Sequence, residues 1–198
     1  MTKREQFIQW LSDAHAMEVG IISTLEKHAA DAKGLPKARA AITKHLKETK
    51  RHAAEMKKAL GTFGATPSVL KEGLSKVGSL VTGLTVSLAQ DTVIKNGIAD
   101  FATEHLEIAC YQSLIVTAKE LGQTKIAATC KAILKEEQAM AKVLEAQLKE
   151  LTPLYLQQLD AEAVEEPSLV TAPPPTRRAL RITKTSPKRK SARQSLTK

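Results

Sequence analysis

The sequence predicts an all-α fold: an antiparallel four-helix bundle with one long crossover, followed by a basic, disordered C-terminal tail. Three observations predict it. Apolar residues recur at three- and four-residue steps in four long stretches. Ala, Leu, Lys and Glu dominate while aromatics make up 3% of the 198 residues, a composition that favours helix. Gly61, Gly64, Gly73, Gly78 and Gly83, with Pro67, cluster mid-chain and divide the helical pattern into two halves.

The first helix starts at Thr2-Lys3-Arg4-Glu5, a capping box with a hydroxyl at the N-cap and a Glu three residues on. Its stripe is Phe7, Leu11, Ala14, Glu18, Ile21, Leu25 and Ala29, and Gly34 is placed to end it. Pro36 suits the first turn of the second helix. That helix carries Ala38, Ile42, His45, Glu48, His52, Met56 and Leu60. Residues 61–89 read as the crossover, with a short helix from Thr66 to about Leu74. The third helix spans about 91–121, with Ile94, Ile98, Phe101, Glu104, Ile108, Tyr111, Ile115 and Ala118 on its stripe and Gly122 after it. The fourth runs from Thr124 to about Tyr155 through Ile126, Cys130, Ile133, Glu137, Met140, Leu144 and Leu151. Pro153 is expected to bend or fray its end. Each helix holds roughly 25–30 residues, or about 37–45 Å at 1.5 Å per residue. Two short turns then make two hairpins, and the bundle occupies residues 1–158 with the tail at 159–198.

Composition excludes several classes. No run of about 18 apolar residues occurs, so no membrane span is expected. The start, Met1-Thr-Lys-Arg-Glu5, lacks the apolar stretch of a signal peptide. Two cysteines, Cys110 and Cys130, fit a reduced, cytoplasmic protein better than a disulfide scaffold.

The chemistry lies in glutamates on apolar stripes. Glu18 precedes Glu48 by 30 residues, and Glu107 precedes Glu137 by 30. Burying a lone carboxylate costs several kcal/mol unless something pairs with it. Four of them, two from each half, point to a metal ion as the partner. Hairpin register adds a second argument. With a turn centred near Leu35, position 18 faces about 52; with one near Gln123, position 107 faces about 139. Both clusters fall at mid-helix and can meet at one level. The candidate ligands are Glu18, Glu48, His52, Glu104, Glu107 and Glu137, with His45 and Tyr111 as supporting groups. Carboxylate plus imidazole suits iron, manganese or zinc.

At these residues the chain resembles a family. Leu11-Ser-Asp-Ala-His-Ala-Met-Glu18, His45-Leu-Lys-Glu-Thr49, Glu104-His-Leu-Glu-Ile-Ala-Cys-Tyr111 and Lys135-Glu-Glu137 look like the bacterial YciE/YciF ferritin-like family, from Phe7 to about Gln158. The resemblance implies a rubrerythrin-like bundle, a homodimer and a link to stress responses, while the ligand set points to a di-iron, manganese or mixed metal centre. The pattern also departs from that of many dimetal bundles. Where Glu-x-x-His would put an imidazole, position 51 is Arg, and His52 follows Glu48 by four. After Glu137 come Met140 and Ala141, where relatives tend to carry an Asp at the latter position. One half of the centre is thus short of an expected ligand.

The formal charge of +9 belongs to the tail. Residues 167–198 hold nine basic residues and no acids, whereas residues 1–166 hold 21 of each sign. Pro173-Pro-Pro175 opens a stiff segment, and low hydrophobicity with high charge favours disorder beyond it. Arg177, Arg178, Arg181, Lys184, Lys188, Arg189, Lys190 and Arg193 are candidates for nonspecific nucleic-acid binding. The tail has no aromatic residue for base stacking.

Overall fold

The computed structural model describes residues 1–67 and 91–165. The crossover expected at 61–89, its short helix and the tail beyond 165 lie mostly or wholly outside the described residues. The described residues form four α-helices: α1 (Lys3–Asp31), α2 (Pro36–Gly61), α3 (Thr92–Glu120) and α4 (Thr124–Glu165).

Local chemistry sets the helix ends. Thr2 Oγ1 accepts the Glu5 amide at 3.1 Å, and the Glu5 carboxylate accepts the Thr2 amide at 2.8 Å, closing the capping box. The expected stop at Gly34 takes a different form. α1 ends at Asp31 and tightens into a 3₁₀ turn, Ala32–Gly34, before Pro36 opens α2. Left-handed glycines occur instead after α2, at Gly64 with φ 69°, and after α3. Gly122 has φ 67°, and the Gln123 amide reaches back to the Ala118 carbonyl at 2.7 Å.

α1 packs on α2 and α3 on α4, and the two hairpins join through α1–α3 and α2–α4 contacts. Contacts along the α1–α3 seam fix its direction. Lys3 meets Glu120, Glu18 meets Tyr111, His28 meets Asp100 and Asp31 meets Asn96. α1 and α3 are therefore antiparallel, and so are the members of each hairpin. The chain from the end of α2 must accordingly reach the opposite end of the bundle to begin α3, which is the single long connection of ferritin-like topology.

Phe7, Leu11, Leu25, Met56, Leu60, Leu114 and Leu144 are buried in the core. Gly97 allows close helix packing, since a Cβ there would stand 3.1 Å from Leu148 Cδ2. α4 is longer than expected. Its 42 residues carry it through Pro153 to Glu165, past the expected ends at Tyr155 and residue 158. Pro153 and Lys149 are both exposed, so water can take the carbonyl that the missing N–H leaves free. No described helix is long and apolar enough to cross a membrane.

Candidate metal centre

The inward line of each helix carries polar groups at mid-height. On α2 that line is Ala38, Ile42, His45, Thr49, His52, Ala53 and Met56, all buried. α3 contributes Glu104, Glu107 and Tyr111 at three- and four-residue steps, which stacks them on one face. Glu18 comes from α1 and Glu137 from α4.

These side chains form two groups that could hold metal ions. His45, Glu104, Glu107 and Glu137 offer ligand atoms all within 4.8 Å of one another, and so do Glu18, His52 and Glu137. Glu137 belongs to both groups. His52 Nδ1 lies 2.8 Å from Glu137 Oε1 and 3.7 Å from Glu18 Oε2. His45 Nε2 lies 2.9 Å from Glu104 Oε1 and 3.6 Å from Glu137 Oε2. Tyr111 Oη donates to Glu18 Oε1 in a short hydrogen bond, so the phenol fixes one ligand oxygen. All seven side chains are at least 98% buried.

The residues fit a metal by a test internal to the structure. Glu18 Oε2, both oxygens of Glu107 and Glu137, Glu104 Oε2, both nitrogens of His45 and His52 Nδ1 are buried without a hydrogen-bond partner. Some of these atoms are close to one another, but their bonds are not aligned for donation. Such an orphaned buried cluster is expensive. A cation at each group would use the same lone pairs.

Electrostatics follow from crowding like charges in a dry core. Burial raises the pKa of Glu107 well above the usual carboxylate range, and Glu18, Glu137 and Glu104 add to it. Burial pushes Glu104 up to about 8, with His45 opposing and Glu137 reinforcing. Glu18 is raised by burial as well, against the pull of His52. For His52, burial disfavours the imidazolium, yet Glu137 and Glu18 together carry its pKa up to about 10. Without metal, the cluster therefore holds protons where the ions would sit.

The sequence expectations meet the structure unevenly. Glu18, His52, Glu104, Glu107 and Glu137 come together, but Glu48 stays outside. It is 18% exposed and bonded to Lys44 Nζ at 2.6 Å, with only one oxygen near His45 Nδ1, at 3.6 Å. The physical reason is helical phase. Thr49, fully buried, occupies the inward position, and Glu48 is turned about 100° from it. His45, expected as a supporting group, belongs to one of the two clusters. Met140 and Ala141 are buried and supply no ligand.

One feature went unread in the sequence, and a second corrects the reading of His28 as an ordinary histidine without carboxylate company. Glu136, beside Glu137, accepts from His52 Nε2 at 2.6 Å and from Arg51 Nη2 at the same oxygen, Oε2. A buried pair, His28 Nδ1 with Asp100 Oδ1 at 2.7 Å, lies toward the α1–α2 turn. The signal for it was Asp100, four residues before Glu104 on the same face of α3.

Solved structures share this fold. One, a protein from Xanthomonas campestris, is 26% identical, with a TM-score of 0.69 over 81% of this chain and 99% of that one. The E. coli stress protein YciF is 24% identical, with a TM-score of 0.64 over 81% and 98%. A ferritin-like, diiron-carboxylate protein from Bacillus anthracis is 19% identical, with a TM-score of 0.61 over 75% and 99%, a likeness of fold. Residues 2–157 match the family described as Domain of unknown function (DUF892). With the bundle, the glutamate-bearing helices and this match in hand, the chain belongs to the DUF892 family, with YciF-like structural relatives.

Proposed function

We propose that the bundle binds two metal ions, iron or manganese, at the groups that share Glu137, in a protective oxidase- or peroxidase-type role. The observation that carries this reading is the set of buried ligand atoms without hydrogen-bond partners around one shared carboxylate. The names of relatives add support, one being a stress protein and another a diiron-carboxylate protein.

His45, Glu104, Glu107 and Glu137 would hold one ion, and Glu18, His52 and Glu137 the other. When bound, such a pair supplies electron transfer to dioxygen or peroxide. The chain's own residues supply the setting. Tyr111 holds Glu18 Oε1 and leaves Oε2 for the centre. Leu11, Met56 and Leu114 keep water out of the surrounding core. Protons held on Glu104, Glu107 and His52 must leave as ions enter.

Elemental analysis of protein purified without added metal tests the reading, together with melting curves in iron, manganese and zinc. Each ion, at a hundredfold excess over its Kd, should stabilise wild type by about 2.7 kcal/mol. Glu137→Gln, which weakens both positions at once, should lose most of that gain. A wild type that neither carries metal nor melts higher with it would end the proposal. A cytoplasmic homodimer is the setting we favour. The free thiols of Cys110 and Cys130 fit a reducing compartment, and light scattering reads the oligomeric state.

A second reading, a nucleic-acid-binding module, is favoured by charge. Nine basic residues and no acids occupy 167–198. α2 and the turn before it add exposed Lys33, Lys37, Arg39 and Lys47, which have no ion-pair partner among the described residues. α4 leads toward that end of the bundle, since Leu148 and Leu151 lie beside Ala38. If five or six cations engage phosphates, log K for duplex DNA should fall with log salt at a slope near −5. Gel shifts of full-length protein and of a chain truncated after Gln158 at two salt concentrations separate the sources. Loss of binding on truncation assigns it to the tail. Retained binding that Lys33→Glu and Lys37→Glu abolish assigns it to α2. No binding by either form ends this reading.

A further inference from the structure

We propose that Glu136 is a positioning residue of the metal centre: it takes the Nε2 hydrogen of His52, locks the ring and leaves Nδ1 as the coordinating nitrogen. The proposal rests on the metal-binding reading above.

The geometry is specific. His52 is fully buried and sits between two carboxylate systems. Its Nε2 is 2.6 Å from Glu136 Oε2, and its Nδ1 is 2.8 Å from Glu137 Oε1. Neighbouring residues of α4 thus grip opposite ring nitrogens. Arg51 Nη2 approaches Nε2 at 3.3 Å and also binds Glu136 Oε2. A guanidinium only donates, so it cannot be the partner of an Nε2–H. The shared Glu136 oxygen reconciles both contacts by accepting from each. Nε2 therefore carries a hydrogen, and the nitrogen left to bind a cation is Nδ1, which faces Glu18 and Glu137. Carboxylate–imidazole–metal chains of this kind fix ring orientation and raise ligand basicity.

The same arrangement gives Arg51 a role. It stands where a Glu-x-x-His pattern would place an imidazole. From its half-exposed position it clamps Glu136, which is itself 29% exposed. His45 lacks this support. Neither of its nitrogens has an aligned hydrogen bond, and the carboxylate beside its Nδ1, Glu48, is 3.6 Å away. The two ion positions are therefore unequal. The Glu18–His52–Glu137 position is preorganised, whereas the one containing His45 must order a ring as it fills. The first ion to enter should go to His52.

Zinc is the probe, being redox-silent, and ¹⁵N-labelled histidine the reporter. In wild type, substoichiometric zinc should shift the His52 Nδ1 signal before any His45 signal, with Nε2 remaining protonated. Zinc affinity by competition with a chromogenic chelator should fall about 10–100-fold in Glu136→Ala. Glu136→Gln, which keeps an acceptor without the charge, should fall between wild type and Ala. Melting curves without zinc serve as the fold control, since residue 136 is partly exposed. If both variants bind zinc as wild type does, with unchanged ring signals, the positioning role is overturned and the metal reading stands. If they lose affinity and Nε2 becomes the zinc-bound nitrogen, the lock is shown to have held Nδ1 on the cation; if wild type itself binds zinc through Nε2, the role is overturned. If wild type takes up no zinc, the metal reading falls and the positioning role with it.

Discussion

A buried Glu107 with two unpartnered oxygens is a liability until something neutralises it. Replacing buried ionic groups by apolar ones of similar volume is often neutral or stabilising by about 1–4 kcal/mol. Glu107→Met should raise the melting temperature of the metal-free protein, by about 2–4 °C for each kcal/mol in a chain of this size, and should weaken metal-dependent stabilisation. A calorimetric scan with and without chelator reads both effects. pH gives a companion test. Glu104 has its pKa raised from 4.5 to about 8, so it binds its proton more tightly folded than unfolded, and its charging destabilises the fold as pH rises across that window. His52 is raised from 6.5 to about 10, so its stabilising charge is complete below 6.5 and lost as pH climbs through 10. Both act in the same direction between pH 6.5 and 8. Metal-free wild type should melt progressively lower across that range, and Glu104→Gln should show a shallower decline. The gain from added zinc should grow with pH over the same interval, because ligands must shed protons. Equal slopes for wild type and variant would remove Glu104 from the account. At this scale the sequence shows a carboxylate on an apolar stripe, which makes Glu18, Glu107 and Glu137 legible. It does not show phase to within one residue. Glu48 and Thr49 are both compatible with the stripe of α2, and only packing decides that Thr49 turns inward. Glu136 was hidden for the same reason, since its value depends on Arg51 and His52 from another helix.

The helices themselves were legible because their boundary signals are chemical. Thr2 with Glu5, Pro36 and Gly122 each act within a few residues, so the sequence carries the whole cause. Thr2→Ala should cost about 1 kcal/mol. The loss should be equal with and without metal, as measured by denaturant midpoints, because the cap lies far from the glutamates. A cap loss that grew with metal would indicate coupling along α1 that the geometry does not contain. The end of α4 was less legible. Pro153 signals a bend or a frayed end, but a helix interrupted on its exposed side can continue when solvent satisfies the freed carbonyl. That condition depends on what lies beside residue 149, which is tertiary information. The 3₁₀ turn at Ala32–Gly34 is a similar case, since glycine permits a left-handed stop without requiring one.

At the largest scale, the described residues are two hairpins joined at their seam. Packing within each hairpin is more extensive than between them. Much of what crosses between hairpins at mid-height is polar: Glu18 with Tyr111, His52 with Glu137, and His45 with Glu104. Metal should therefore act as a rivet between hairpins rather than within one. Hydrogen exchange should slow in the middle turns of all four helices when zinc is added. Slowing confined to α1 and α2 would show that the cation sits within a single hairpin. That the halves meet at one level was readable from turn positions, because the rise per residue is a constant of the helix. Which atoms meet there was not.

The sharing of Glu137 has a consequence for bookkeeping of charge. The two groups together contain four carboxylates and two imidazoles. With the imidazoles neutral, the ligand set carries four negative charges, and two divalent ions cancel it. One ion leaves two charges uncompensated in a dry interior, so a half-filled centre must keep protons in place of the missing cation. Each ion that enters must then expel protons, and any later change in the ions' oxidation state must draw in or release a compensating charge. Loading the metal-free protein in weakly buffered solution should therefore acidify it in step with uptake. The yield of acid per ion counts the protons that had been standing in for metal.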